Sequence, residues 1–550
     1  MPNMKDFSDK KNWNVLTLLK SRAKEFRNKQ FIEFDSGESL TFSLLEQKSN
    51  LLALKLKSLG LKENENVFCF LKNCPEFLIS MFAIFKCGAI FVPINTELRG
   101  KFLEHQFNNS EPKIAIINNS LIDCFSDLEP SSNNLISTIF VGKLKENQVP
   151  EVLVSEKQLF FDDIFEKSIT PDVSKLISDP PIHKLCAIMY TSGTTGPSKG
   201  VMLTHGHLFS FGINSAKVAF LTPEDVYYIC MPLFHVNGLG IQCFAALYAG
   251  MRVYCRERFS PSNWLQDIIK SGATVTNLLG VMPEFVFNTE PSLLDQKHSL
   301  RLVGAVPISK EWGEEFENRF KIKFLQGFGM TESGMSFWGD LSEENLIPGC
   351  AGYPMSDLYE VKIANPENDE FLPPNTVGEL LIRPKFPGIF SAGYYKMPEK
   401  TLEAWKNLWF HTGDACYFDE KGRMHYFDRI KDCIRRRGEN ISAFELEQVI
   451  NAYDSVIESA AIGVKTEDSG GEDEVLVCIV KQKNTEIELK KLLDYCRGNL
   501  PRFAVPKFVR IVESIKKTGS GKLSKVKIRE EGLTADCFLL DPIIKRPLNE

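Results

Sequence analysis

Residues 189–200 read Met-Tyr-Thr-Ser-Gly-Thr-Thr-Gly-Pro-Ser-Lys-Gly. The apolar run from Leu185 to Tyr190 predicts a short buried strand. Behind it, Thr191, Ser192, Gly193, Thr194 and Thr195 form a loop with no bulk to place in a core, and a single cation, Lys199, stands near its end. Glycines let backbone N–H groups turn toward one point, hydroxyls add donors and the lysine adds charge, which together make a device for holding polyphosphate. It is not a Walker A loop, because that pattern sets Gly before the Lys and Ser or Thr after it. Here Ser198 precedes Lys199 and Gly200 follows. No G-x-G-x-x-G opens a helix after a strand.

Five further stretches carry chemistry-bearing residues. Met231-Pro-Leu-Phe-His235-Val-Asn-Gly238 ends a predicted strand, where ligands bind in α/β folds; a histidine there is also compatible with a purely structural role. Gln326-Gly327-Phe328-Gly329-Met330-Thr331-Glu332-Ser333 is a glycine turn with an acid and a hydroxyl, oxygen donors of the kind a hard cation takes. Trp409-Phe-His-Thr-Gly-Asp414 places a carboxylate at a turn, and Asp428-Arg429-Ile430-Lys431-Asp432 clusters charge between apolar stretches, as an interdomain linker does. Thr518-Gly-Ser-Gly-Lys522 sets one lysine on a Gly/Ser loop.

The elements that must position these residues follow from periodicity. Helical spacing from Val15, a hairpin over Phe31–Phe42, a helix from Leu44 to Leu59 and strands at Val67, Ile90 and Ile114 alternate through the first part of the chain. Such alternation implies a parallel α/β sheet. Residues 125–180 are polar and weakly patterned and read as a connector with one strand near Ile136. After the phosphate loop, helix and strand alternate again through Val226, Thr274 and Leu302. Residues 430–550 read as a small α+β domain. The expected fold is therefore α/β, with a large multi-subdomain N-terminal domain at 1–429 and a small mobile C-terminal domain at 430–550.

Taken together, T-S-G-T-T-G-x-x-K-G, F-H-x-x-G, the Gly327–Ser333 turn, Asp414, Arg429 and Lys522 resemble the adenylate-forming enzymes: acyl-CoA synthetases, luciferases and peptide-synthetase adenylation domains. The resemblance runs from about Leu40 to Lys525. Three positions depart from the pattern. Pro197 and Ser198 are exchanged before the lysine, Phe328 stands where the family has Tyr, and Lys516 stands where Pro is common.

What the resemblance implies is a set of roles. Thr191 to Thr195 and Lys199 hold ATP phosphates; Gly304 and Ala305 lie against adenine with Gly327, Phe328 and Gly329. Thr331 bonds the α-phosphate, Glu332 holds Mg²⁺, and His235 lies beside the acyl pocket. Asp414 and Arg429 meet the ribose, Lys431 is the hinge, Gly438 flanks the pantetheine tunnel, and Lys522 bridges carboxylate and α-phosphate. Thr274–Pro283 resembles the acyl-pocket strand, though a core strand and helix fit equally. Gly378-Glu379-Leu380 resembles a motif of architectural value. Arg435-Arg436-Arg437 is either a CoA phosphate contact or a solvated charge run.

Within the superfamily, 435–442 and 95–100 look most like crotonobetaine/carnitine–CoA ligases and related short- or medium-chain acyl-CoA synthetases. The implied partners are a small carboxylic acid, ATP, Mg²⁺ and coenzyme A. A ligase loading a separate carrier protein, a luciferase-like oxidation and a non-catalytic nucleotide-binding relative are the alternatives.

Composition bounds these expectations. At 550 residues the chain is too long for one ordinary core. Its 43% hydrophobic and 25% charged content is that of a globular protein, and a net charge of −6 argues against a nucleic-acid surface. Fourteen cysteines without a C-x-x-C pair fit reduced thiols and a cytoplasmic setting. The apolar stretch Phe77–Ile94 contains Lys86, Gly88 and Pro93 and reads as a buried helix and strand, not a membrane span. Oligomeric state is not legible.

Overall fold

The structure, a computed structural model, describes residues 7–129, 134–143, 149–166, 172–191, 198–342, 346–430, 434–436, 439–441, 443–466, 473–483, 485–500, 504–517 and 523–540. The described chain divides into two compact units, one within 1–193, 197–360 and 383–405, the other within 361–382 and 406–550.

Two seven-stranded sheets dominate the first unit. One runs Lys157–Phe160, Ser137–Val141, Ile114–Asn118, Asn66–Phe70, Ile90–Pro93, Leu185–Thr191, Lys199–Thr204 in spatial order. The other runs Lys323–Leu325, Leu302–Val306, Val275–Leu279, Val226–Ile229, Arg252–Cys255, Gln30–Phe34, Ser39–Thr41. Each is parallel except at one edge, where a hairpin supplies the last strand. The presumed connector at 125–180 is thus partly sheet. Its strand Lys157–Phe160 is mostly exposed, so it lacks the alternation that marks a half-buried strand. A short antiparallel meander, Gly327–Met330, Gly334–Trp338 and Cys350–Pro354, completes this unit's sheets.

The helix Pro75–Cys87 shows how an apolar stretch is used. Pro75 starts it with φ already set, and Gly88 ends it at φ +72°, a left-handed cap. Its one cation, Lys86, is buried but paired: Nζ lies 2.8 Å from Glu46 Oε2 and 2.7 Å from Ser49 Oγ. The following strand Ile90–Pro93 is wholly buried. Among the described residues no helix is long and apolar enough to cross a membrane. The described cysteines are free, and burial pushes the Cys87, Cys230 and Cys243 thiols up to about 12.

In the second unit, residues 378–382 pair with the strand Trp409–Phe418, which pairs in turn with Met424–Arg429. A hairpin of Ile434–Arg436 with Glu439–Ile441 precedes the helix Ala443–Asn451. The strands Val456–Val464, Glu474–Lys481, Phe508–Val512 and Phe538–Leu539 make a four-stranded sheet. Leu446, Ile450, Val475, Val477, Ile479 and Leu492 fill the core between this sheet and its helices. Arg436 falls under neither reading of the arginine run. Its side chain is 1% exposed, lies 2.6 Å from Glu474 Oε2, and donates from Nη1 to the Val505 carbonyl at 2.8 Å. The carboxylate offsets the cost of burying the guanidinium charge, and a guanidinium so enclosed cannot reach a solvent-borne phosphate.

Candidate active site

The presumed phosphate loop joins the two strands of an antiparallel pair in the first unit. Thr191 stands opposite Lys199 and Tyr190 opposite Gly200. Gly200 is required by packing: a Cβ there would lie 2.8 Å from Ile188 Cγ2. The helix Gly100–Ser110 braces both sides of the mouth, since Tyr190 Oη donates to Asn109 Oδ1 at 2.6 Å and Gln106 Nε2 donates to Ser198 Oγ at 2.9 Å. The exchanged order of Pro197 and Ser198 thereby gives this chain an anchor that proline could not supply. Ser192, Gly193, Thr194 and Thr195 lie outside the described residues.

The second motif is a tight hairpin. Gly327–Met330 pairs with Gly334–Trp338, so Thr331, Glu332 and Ser333 occupy its turn. Gly334 closes the turn at φ +76°, and a Cβ there would stand 2.7 Å from Tyr359 Oη. Phe328 is half-buried and held edge-on by Phe337, with ring centroids 6.1 Å apart. Glu332 is 7% exposed. Its Oε1 accepts from Tyr394 Oη at 2.9 Å, and its carbonyl accepts from Ser391 N at 2.9 Å. The Tyr394 ring also meets Lys199, whose Nζ stands 4.6 Å from the ring centroid. Glu332 and Lys199, 133 residues apart by number, are brought to one tyrosine.

His235 follows the strand Val226–Ile229, and Gly304 stands midway along the strand Leu302–Val306. Asn73 fixes the histidine's loop: Oδ1 accepts from Leu233 N at 2.8 Å, while Nδ2 donates to the Met231 and Arg256 carbonyls. Gly304 pairs with Asn277 on the next strand, and a Cβ on it would lie 2.5 Å from Asn277 Oδ1. From Asn277 a chain of side-chain hydrogen bonds runs through the interior. Tyr227 Oη donates to Asn277 Oδ1 at 2.8 Å, and Asn237 Oδ1 accepts from Gln242 Nε2 at 2.7 Å and from Asn277 Nδ2 at 3.4 Å. Gly280 N donates to the Val306 carbonyl at 3.0 Å, which sets half-exposed Val281 beside half-exposed Val306.

In the second unit, Asp414 pairs across the sheet with Arg429, and Arg429 Nε lies 3.0 Å from Asp414 Oδ1. The turn before Asp414 is held by Glu379, whose two oxygens accept from Gly413 N and meet His411 Nδ1, both at 2.9 Å. Glu379 belongs to the stretch assigned an architectural role, and the aspartate's turn is what that architecture holds. Lys431, Gly438 and Lys522 lie outside the described residues. The flanks of 518–522 are pinned: Lys517 and Leu523 form a β-bridge, Ser524 N donates to the Lys516 carbonyl at 2.7 Å, and buried Lys525 pairs with Glu447 at 2.7 Å.

Residues 19–395 match the model of the AMP-binding enzymes, and 445–522 match that of the AMP-binding enzyme C-terminal domain. The chain belongs to the AMP-binding enzyme family. It is similar to a crotonobetaine/carnitine–CoA ligase of Salmonella arizonae, 30% identical over 92% of this chain and 96% of the relative. The corresponding Citrobacter koseri ligase is 29% identical over 94% and 99%. Among solved structures, ATP-bound MatB from Rhodopseudomonas palustris superposes with a TM-score of 0.79 at 26% identity, covering 94% of this chain and 98% of that one. The anthranilate CoA ligase AuaEII, at 21% identity and a TM-score of 0.83 over 96% and 98%, shares the fold. This AMP-binding enzyme is an AMP-forming acid–thiol ligase, a class that uses ATP, Mg²⁺ and coenzyme A.

The residues present fit those groups. Phe328 and the small pair Gly304 and Ala305 suit a flat base. Among the described residues no three His, Cys, Asp or Glu side chains converge as a cage. Tyr394, Asn277, Tyr227 and Gln242 were not singled out from the sequence; only the tertiary pairings identify them.

Proposed function

We propose that this AMP-binding enzyme activates a small carboxylic acid of carnitine-like or short- to medium-chain type as its acyl-AMP and passes the acyl group to coenzyme A in the cytoplasm. The observation that carries the substrate class is the chain of side-chain hydrogen bonds Tyr227–Asn277–Asn237–Gln242, which runs from the interior to half-buried Asn237, two residues after His235. A pocket for a plain long alkyl chain has no use for buried amides, which cost free energy unless they are satisfied. With Asn237 Oδ1 accepting two bonds, its NH₂ is left to donate to a polar group of the acid. The apolar pair Val281 and Val306 takes the carbon skeleton. The similarity to carnitine-type ligases along nearly the whole chain supports the same reading.

In the first half-reaction a carboxylate oxygen attacks the α-phosphorus of ATP, the bond to the bridging oxygen breaks, and pyrophosphate leaves. The obstacle is charge, because an anion approaches an anionic centre. Glu332 would hold Mg²⁺, which would supply charge neutralisation for the departing pyrophosphate. Thr331 donates to the α-phosphate, the Thr191–Thr195 loop and Lys199 hold the outer phosphates, and Lys522 bridges carboxylate and α-phosphate. Asp414 accepts from the ribose hydroxyls and Arg429 contacts the same sugar. In the second half-reaction the coenzyme A sulfur attacks the acyl carbon and AMP departs with its oxygen. Residues 430–550 act as a lid on the 1–429 domain, turning about Lys431 to remove Lys522 from the thiol's path and bring Gly438 beside the pantetheine.

The test is ATP–pyrophosphate exchange over a panel of betaines, fatty acids of graded length, dicarboxylates and aryl acids, repeated with coenzyme A while AMP release is followed. Exchange and coenzyme A-dependent AMP release with betaines or short acids support the reading. Exchange without that dependence assigns a carrier protein as acceptor, and no exchange with any acid overturns the enzyme reading. Asn237→Leu is expected to lower the preference for a hydroxylated acid over the same acid without its hydroxyl by about tenfold, the worth of one hydrogen bond. An unchanged ratio removes Asn237 from the pocket. Asp414→Asn keeps the shape but loses the charge that strengthens its hydrogen bonds. The KM for ATP is expected to rise roughly tenfold or more with that for the acid unmoved.

A further inference from the structure

We infer that Tyr394 is a positioning residue for adenylation, holding the magnesium-binding carboxylate and the phosphate-loop lysine in one arrangement. This rests on the reading of Glu332 as the metal ligand. Residues 391–395 are stitched on both sides. Ser391 N donates to the Glu332 carbonyl at 2.9 Å, Ala392 N to the Met202 carbonyl at 2.8 Å, Met202 N to the Gly393 carbonyl at 2.9 Å, and Tyr395 N to the Gly200 carbonyl at 2.7 Å. Val201 and Tyr394 form a β-bridge. The segment therefore lies between the Thr331–Ser333 turn and the strand that begins at Lys199, and Tyr394 is the side chain that touches both.

Its two contacts are chemically different. The phenol O–H donates to Glu332 Oε1 at 2.9 Å, one end of a carboxylate that is itself 7% exposed. A phenol bonded to one oxygen fixes the orientation of the whole carboxylate, and a cation demanding near-octahedral geometry is sensitive to that orientation. The ring face meets Lys199 Nζ at 4.6 Å from its centroid, an attraction that orients an ammonium without neutralising it. Tyr394 is 7% exposed, and its own backbone N–H is fixed by Thr401 Oγ1 at 2.9 Å, so the ring is set by the fold before any ligand arrives.

Two variants separate the contacts. Tyr394→Phe removes the hydroxyl and keeps the ring; Tyr394→Leu removes both. In pyrophosphate exchange at saturating acid, Tyr394→Phe is expected to raise the half-saturating Mg²⁺ about five- to tenfold, as loss of one hydrogen bond to a charged group does, with the KM for ATP at saturating Mg²⁺ near the parent value. Tyr394→Leu is expected to raise both. Thioester formation from supplied acyl-AMP, which releases no pyrophosphate, is expected to be unchanged in both variants. A magnesium midpoint unmoved in Tyr394→Phe overturns the proposal, and so does equal loss of both half-reactions, which is what a merely structural role produces. Glu332→Gln measured alongside keeps the two readings apart. If it shifts the midpoint and Tyr394→Phe does not, only the tyrosine's role fails; if neither shifts, the metal assignment fails with it.

Discussion

Lys522→Ala is expected to stop acyl-AMP formation while leaving thioester formation from supplied acyl-AMP nearly intact. In the proposed mechanism this lysine is the one cation that meets the incoming carboxylate and the α-phosphate together. A preorganised donor aimed at developing charge is worth about 2.7–4 kcal/mol, so pyrophosphate exchange should fall by roughly a hundred- to a thousandfold. The second half-reaction needs no such bridge, because the acyl phosphate bond already exists and the attacking group is a sulfur. The variant is expected to fold normally. The stretch that carries Lys522 is closed by the Lys517–Leu523 bridge and by Ser524 on Lys516, and its far flank is tied down by the buried pair Lys525–Glu447. None of these contacts uses residue 522. The measurement is the ratio of the two half-reaction rates in the variant and the parent, with thermal unfolding as the control. Equal loss of both rates would sink the two-conformation reading.

The parts of this enzyme that could be read from its sequence are those whose chemistry depends on residues close together in the chain. The Gly327–Ser333 and Asp414 stretches are local constellations whose glycines and polar residues already mark turns. Long periodic elements were legible for the same reason. The helix Pro75–Cys87, with proline at its start and glycine after its end, covers the helical part of the apolar stretch Phe77–Ile94 that reads as a buried helix and strand. Illegible were features decided by partners far along the chain. Tyr394 looks like any aromatic beside a glycine until its hydroxyl is seen on Glu332, 62 residues away. Asn277 lies in the stretch Thr274–Pro283 that resembles the acyl-pocket strand, but the bonds that tie it to Tyr227 and Asn237 come from partners far along the chain. Arg436 sits in a charge run that suggested solvent or a CoA phosphate, yet Glu474, in a strand that begins after a long loop, draws it inside. Glu379 was assigned to architecture, and the structure shows what that means: it fixes the backbone before Asp414. The strand Lys199–Thr204 is not legible from the sequence because its burial does not alternate, so it lacks the period of a half-buried strand.

Glu332→Gln is the sharpest test of the metal site, because it changes charge and almost nothing else. The carboxamide oxygen can still accept from Tyr394 Oη, now 2.9 Å from Oε1, and the backbone bond from Ser391 is untouched, so the turn should keep its shape. What is lost is one negative charge at a largely buried position, where electrostatic interactions exceed their strength in water. Magnesium takes hard anionic oxygens, and an amide oxygen is a weaker ligand for it. The half-saturating Mg²⁺ is expected to rise at least tenfold, and the exchange rate at saturating metal to fall by about a hundred- to a thousandfold, the loss that follows removal of one transition-state charge stabiliser. Thioester formation from supplied acyl-AMP is expected to stay within about twofold of the parent, since no pyrophosphate charge develops there. That pattern also ranks Glu332 against Tyr394. The tyrosine variant keeps the charge and loses only its orientation, so its magnesium shift must be the smaller of the two. If Glu332→Gln binds magnesium as the parent does while exchange still falls, the carboxylate acts on the chemistry by some route other than the metal, and the charge balance at the α-phosphate has to be carried by Thr331, Lys199 and Lys522 instead.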